Sequence, residues 1–565
     1  MIVRWAPGGD PVDVLPPPFS ARTTVHEYGG GAFAVHGDDV YFSNFADQRL
    51  YRLGAGAITP EGDGARYADG DVSPDGTRLA CVRERHAGDH VINDLVTIPT
   101  DGSAAPTPIA AGHDFYAAPR WSPDGSRLAW LAWDHPRMPW DGTVLEVDGQ
   151  RRAGGPDESI SQPRWSPDGA LHWISDRTGW WNLYREGEPL APMDAEFAGP
   201  DWVFGQSTYA FLPDGRLVAT WSAGGTARLA VLGDEPLDLP YTSFSSIRAF
   251  GDRIAAIAAS PTIAPQVVVL DDPATVVRRS RPTPVDPRYL STPRPIEFPT
   301  TGGGTAHGLF YPPTNQDCAA PAGERPPLVV TSHGGPTAAA STSLELRTQF
   351  WTSRGFAVVD VDYRGSTGYG RAYRKELDGR WGVVDVDDCL AAARFLAAAG
   401  QVDGDRMAIR GSSASGLTTL LALTRGVFAA GASLYGVADL AALATDTHKF
   451  EARYLDGLVG PWPEAADVYR QRSPLTHAGE LSAPLIIFQG LDDKVVPPAQ
   501  AEVLVAALRA ARLPFAYLTF EGEAHGFRRA ETLQRVMEAE LSFYGQVLGF
   551  IPADDIEPVE IERPR

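Results

Sequence analysis

One short turn, repeated at near-constant spacing, constrains this chain more than any other feature. Ser73-Pro74-Asp75-Gly76, Ser122-Pro123-Asp124-Gly125, Ser166-Pro167-Asp168-Gly169 and Leu212-Pro213-Asp214-Gly215 set their aspartates 49, 44 and 46 residues apart. In such a turn proline presets φ, aspartate bonds back to the chain and glycine takes the positive φ. An apolar run follows, as in Thr77-Arg78-Leu79-Ala80, so each copy reads as a hairpin between two strands. A period of roughly 40–50 residues with several strands per unit is that of a β-propeller. Weaker copies at Gly37-Asp38-Asp39-Val40-Tyr41 and Gly251-Asp252-Arg253-Ile254 bring the recognisable blades to six, with a seventh expected to be incomplete.

The pattern stops near residue 285, and the 565-residue chain is too long for one core. Residues 276–295, rich in Pro and Arg, read as a linker. Beyond it, apolar runs alternate with helical stretches. Pro327–Thr331, Phe356–Val361, Met407–Arg410 and Pro484–Phe488 read as strands, and Val386–Ala399 and Gln500–Ala511 as helices. Fully apolar strands alternating with helices predict a mostly parallel, doubly wound sheet. The expected organisation is a propeller over 1–285, its first blade incomplete, and an α/β-hydrolase domain over 286–565.

The chemistry falls in the second region. Arg410-Gly411-Ser412-Ser413-Ala414-Ser415-Gly416 follows a strand and precedes a helix, the setting of a nucleophile elbow with Ser413 at its tip. In this fold an acid and then a histidine should follow. Gly490-Leu491-Asp492-Asp493 and Glu523-Ala524-His525-Gly526 lie in loops at strand ends, where catalytic groups belong. His525 would take the Ser413 proton while a carboxylate holds its tautomer. Earlier, His333-Gly334-Gly335-Pro336 offers an oxyanion loop. The N–H groups of Gly335 and Ala414 are the expected donors, with His333 part of the same loop.

These segments, with Asp362-Tyr363-Arg364-Gly365-Ser366-Thr367-Gly368-Tyr369-Gly370 and His26-Glu27-Tyr28-Gly29-Gly30-Gly31, resemble the prolyl oligopeptidase family, in its acylaminoacyl-peptidase and dipeptidyl-aminopeptidase-like branch. The resemblance implies a serine peptidase whose propeller caps the site, so that substrates are short peptides cut from the N-terminal end. It selects Asp493 over Asp492, by the spacing from Gly490 to Val496-Pro497. Family elbows read Gly-Gly-Ser-x-Gly-Gly, and Ser412 and Ser415 depart from that pattern. A free N-terminus needs a carboxylate partner, for which Glu27, Glu196 and Glu451 are the candidates. Trp140 is a candidate for the wall of the substrate cavity.

The remaining properties narrow the classes. A net charge of −22 disfavours nucleic acid. No apolar run of about 18 residues suggests a membrane span. No signal core opens the chain, and Cys81, Cys318 and Cys389 form no metal spacing, so a cytoplasmic protein without metal or cofactor is expected. Homo-oligomerisation is left open. An esterase, amidase or acyltransferase with the same triad, and an inactive propeller binding protein, are the competing readings.

Overall fold

The computed structural model describes residues 1–62, 64–88, 90–270, 274–281, 285–445 and 447–564. Six antiparallel sheets follow one another as blades: residues 33–57, 65–110, 115–154, 160–189, 209–231 and 243–279. Each Pro-Asp-Gly turn joins the first two strands of a blade, as between Ala65–Val72 and Arg78–Ala87 or Phe115–Trp121 and Leu128–Trp133. The two weaker copies do the same in blades 1 and 6. The blade that falls short is the fifth, with three strands, and not the first, as the sequence reading expects. Blade 1 has its four strands. A separate two-stranded sheet, Val3–Arg4 with Val12–Asp13, precedes it, and Ile2 and Leu15 pack there on Val40 and Phe42.

The motif recurs because it satisfies itself. Ser73 Oγ donates to Asp75 at 2.6 Å, Thr77 N–H donates to the same carboxylate at 3.1 Å, and Gly76 sits at φ 73°. Ser122, Asp124 and Ser126 repeat the arrangement. These donors hold Asp75 and Asp124 down at about 2. The residue that follows the turn then stitches blades together: Arg78 lies over Trp121 at 4.5 Å and Arg127 over Trp165 at 4.2 Å.

First strands of successive blades touch, which places them at the centre. In blades 2, 3, 4 and 6 that strand carries a bulge, with Asp69, Ala118, Gln162 and Ser246 at φ 57°, 50°, 53° and 55°. A bulge re-aims the side chains after it.

The propeller's last strand is Thr275–Arg279 and the next domain's first is Arg294–Pro299. Of the linker, residues 282–284 lie outside the described residues. The second domain is one eight-stranded sheet with the order Arg294–Pro299, Thr305–Tyr311, Ala357–Asp362, Leu328–Ser332, Met407–Ser412, Ala430–Leu434, Leu485–Gly490, Phe515–Phe520. Its first two strands are antiparallel and the other six run parallel. Helices α1 (Leu346–Thr352), α2 (Gly370–Lys375), α3 (Val384–Ala398) and α4 (Ala414–Ala422) alternate with the strands. Leu390 and Leu396 of α3 and Leu417 and Leu420 of α4 bury one face of the sheet. Trp351 of α1 and Val536, Phe543 and Tyr544 of the C-terminal helix Ala530–Leu548 cover the other. This is the α/β-hydrolase layering expected from the alternation.

Buried ion pairs join the two domains at α2. Asp176 of blade 4, fully buried, receives Arg371 and Arg374 of α2, the latter at 2.6 Å. Arg374 also lies over Trp181 at 4.0 Å. Lys375 meets Asp141 at 3.2 Å.

Candidate active site

The elbow is built as its sequence requires. Ser413 ends the turn between the strand Met407–Ser412 and α4 at φ 53°, ψ −121°, a strained conformation for a residue with a side chain. A Cβ on Gly411 would run into the Ser415 carbonyl, and one on Gly416 into Gly436. Those two glycines are obligatory. The two that this chain replaces are not: the Ser415 hydroxyl accepts from Ser412 N–H at 2.8 Å and donates to Ser412 C=O at 2.9 Å, tying the turn shut.

Three strand-end loops then converge. His525 Nε2 lies 2.8 Å from Ser413 Oγ, and His525 Nδ1 lies 2.8 Å from Asp493 Oδ2. The other Asp493 oxygen accepts the N–H groups of Val495 and Val496, both at 2.9 Å. With both oxygens committed, the buried carboxylate has one orientation. Asp492 is exposed and takes no part; its N–H goes to Glu523 C=O. Tyr435, which sequence reasoning missed, packs its ring 5.0 Å from His525 and 4.9 Å from Phe527. Its N–H donates to Phe488 C=O on the strand leading to the acid, and the adjacent Leu434 C=O accepts Ser413 N–H. One turn thus touches all three loops. Its φ of 39° is not readable from residue type.

The oxyanion loop lies against the elbow, with Gly334 near Ser412 C=O. Gly335 has φ 117°, open only to glycine, and Ala414 opens α4, where an N–H has no intrahelical acceptor. The His333 side chain is not free to join them: Nε2 meets Ser366 Oγ at 2.6 Å and Nδ1 meets Gly334 C=O at 3.0 Å. Burial holds its pKa down at about 4, so it is a neutral brace for the loop. Tyr363 OH donates to Pro336 C=O at 2.7 Å and completes that brace.

The three carboxylates separate clearly. Glu196 accepts Trp181 N–H at 2.8 Å and Gly370 N–H at 3.0 Å, one oxygen each, and is buried in the domain joint. Buried there, it is not presented to a substrate, contrary to the sequence reading, and burial pushes it up to about 7. Glu27, at φ 63°, is paired with Arg66 at 3.0 Å. The glycines after it pass close to Thr23, Phe204 and Asp69, that is, to the chain itself and not to a ligand. Glu451, from the other domain, takes the Tyr28 hydroxyl at 2.6 Å. Tyr28 packs edge-on to Trp202 at 5.4 Å, and Trp202 Nε1 donates to Thr337 C=O next to the oxyanion loop. Trp140 is buried, its ring 4.4 Å from Trp202 and 5.7 Å from Tyr454.

A serine, histidine and aspartate in relay at the top of a parallel sheet, under a propeller, define a serine hydrolase fold of a known kind. Residues 342–550 match the model of the prolyl oligopeptidase family. A puromycin-hydrolyzing peptidase of Mycobacterium tuberculosis superposes with a TM-score of 0.91 at 44% identity, over 98% of this chain and 92% of that one. A second puromycin hydrolase structure gives 0.91 at 40% identity, over 99% and 92%. Dipeptidyl aminopeptidase BIII of Pseudoxanthomonas mexicana is 30% identical over 319 residues, 55% of this chain but 43% of that protein, so the match spans less than half of that relative. The chain belongs to the prolyl oligopeptidase family. Among the described residues no helix is long and apolar enough to cross a membrane.

Proposed function

We propose that this chain is a serine peptidase that removes residues from the free N-terminus of short peptides and of related aminoacyl amides, through an acyl-enzyme on Ser413. The observation that carries this reading is the unbroken relay Asp493–His525–Ser413, with both bonds at 2.8 Å. His525 Nε2 takes the Ser413 proton as Oγ attacks the scissile carbonyl. Asp493 holds the Nδ1–H tautomer and stabilises the imidazolium that forms. Gly335 and Ala414 N–H groups receive the oxyanion. The imidazolium then gives its proton to the leaving amine, and water repeats the cycle on the ester.

Glu451 is the proposed partner of the substrate ammonium. Of the three carboxylates it alone is held by a tyrosine hydroxyl and not by a guanidinium or backbone N–H groups, and the aromatic rings of Tyr28, Trp202 and Phe450 lie around it. A partly desolvated carboxylate–ammonium pair is strong and selective. The puromycin-hydrolyzing relatives support an aminoacyl amide as substrate. The free cysteines, two of them buried, support a reducing compartment such as the cytoplasm. Rates on aminoacyl anilides, their N-acetyl forms, puromycin and simple acyl esters test the proposal. Free-amine amides should lead; preference for acetylated anilides or for esters would overturn it.

A further inference from the structure

The propeller axis holds a set of cations that the proposed chemistry does not use. Two residues after the bulge in blades 2, 3, 4 and 6 stand Asp71, Arg120, Arg164 and Arg248, equivalent positions of one repeat. Arg120 is neutralised by Asp69 at 2.8 Å. Arg164 and Arg248 are not neutralised. Among the described residues neither has a carboxylate within ion-pair distance; Arg164 donates to Ser207 Oγ, and Arg248 to the carbonyls of Ile247 and Gly205. Burial and the neighbouring guanidiniums push Arg248 down to about 10. The nearby acids do not restore the balance. Both Asp69 oxygens are committed, to Arg120 and to Ala118 N–H. Burial raises Asp71, and raises Asp201 to about 7. A protein of net charge −22 therefore leaves two guanidiniums near the propeller axis without a carboxylate partner, Arg164 half-buried and Arg248 at the exposed rim.

Beside them lies a cavity of about 40 Å³, whose lining includes His26, Arg120, Trp133, Arg164, Asp201 and Gly205. One water needs at least about 10–15 Å³ on this measure, so there is room for a small polyatomic guest. Three polar atoms of its lining have no partner: His26 Nε2, Trp133 Nε1 and Arg164 Nε. His26 and Trp133 are each only 5% exposed. Polar atoms buried without a partner are rare and costly, and Trp133 Nε1 and Arg164 Nε are both N–H donors. Unpaired guanidiniums together with orphaned N–H groups call for one kind of guest, an acceptor that carries negative charge.

We propose that the propeller axis carries a binding site for a small oxyanion, gripped by Arg164 and Arg248 and completed by the ring nitrogens of His26 and Trp133. The fork of a guanidinium suits phosphate or carboxylate oxygens equally, so the site is assigned to that shared chemistry. A bound anion would tie blades 3 and 4 to the segment before blade 1, with Arg248 of blade 6 adjoining the cavity at Gly205, and would lie beside Trp202.

Isothermal titration calorimetry on the full chain, with inorganic phosphate and with acetate at matched ionic strength, tests this. Saturable heat from either ion is expected in the wild type, weakened at least tenfold in Arg248→Gln and in Arg164→Gln. Arg248→Lys, which keeps the charge, should recover part of the affinity. Folding of each variant is checked by circular dichroism; Arg248, at the exposed rim of the ring, is the variant that retains the fold if Arg164→Gln does not. Phosphate heat alone assigns the site to inorganic anions, and acetate heat as well to carboxylates. Absence of saturable heat from both ions, or an unchanged affinity in Arg248→Gln, would overturn the proposal.

Discussion

The two domains differ in how they hold charges that recur and charges that do not. In the hydrolase the buried Arg364 meets Asp388 at 2.8 Å and Arg410 meets Glu540 at 2.9 Å. At the propeller axis Arg164 and Arg248 meet only neutral oxygens. The reason lies in how each is built. A hydrolase strand occurs once, so each buried charge can be matched to a partner brought from elsewhere in the chain. A propeller repeats one strand, and a residue at the repeat position recurs around the axis with its own kind. Paired charges rigidify a site; recurring ones leave a place for a ligand. The relay of Asp493, His525 and Ser413 belongs to the first sort, pre-arranged to tenths of an ångström before substrate arrives.

That contrast can be broken at several points. The largest effect should come from Ser413→Ala, which removes the proposed nucleophile and should cut turnover by on the order of 10⁵–10⁶-fold. An organophosphorus serine probe should label the wild type and not the variant; labelling that persists at Ser412 or Ser415 would mean the relay ends elsewhere. Asp493→Asn comes next, with a loss on the order of 10³–10⁴-fold in kcat through the wrong histidine tautomer. Asp492→Asn should leave kcat within about threefold, since its carboxylate holds nothing in the relay; the magnitude follows the small effects usual for exposed positions. The reverse ranking would refute the geometry.

Smaller effects should follow at the joint between domains. Asp176→Asn strands Arg371 and Arg374 in the interface, and losing one partner of a buried pair costs about 3–5 kcal/mol. The urea midpoint should fall accordingly, and an unchanged midpoint would show that the joint is not a stabilising contact. Glu451→Gln should raise KM about tenfold for free-amine anilides, one charged contact's worth, and spare acetylated ones. Equal loss on both would make Glu451 structural. The smallest effect concerns pH. Glu196 has its pKa raised on folding, to about 7, so the folded chain binds its proton more tightly than the unfolded one. Its contribution is complete below the unfolded carboxylate range and is lost as pH rises through about 7. Stability measured from pH 5 to 8 should decline less steeply in Glu196→Gln than in the wild type, and an identical slope would contradict the assignment.

The sequence by itself determined what depends on local chemistry and chain order. Ser-Pro-Asp-Gly closes its own turn, so the blades were countable, and apolar strands alternating with helices announced the parallel sheet. That Ser413, Asp493 and His525 converge could be anticipated because small residues at a strand end leave one side chain exposed, and because the fold prescribes their order. What the tertiary structure decided is which groups already have partners. Glu27, Glu196 and Glu451 look alike in sequence, each beside an aromatic or another polar residue, yet one is paired with Arg66, one accepts two backbone N–H groups and one takes a tyrosine hydroxyl from the other domain. Tyr435 and the arginine ring were invisible for the same reason. A hydrogen bond or an unpaired charge is a relation between residues tens to hundreds apart in the chain, and only the packing of strands and blades brings them within three ångströms or keeps them from it.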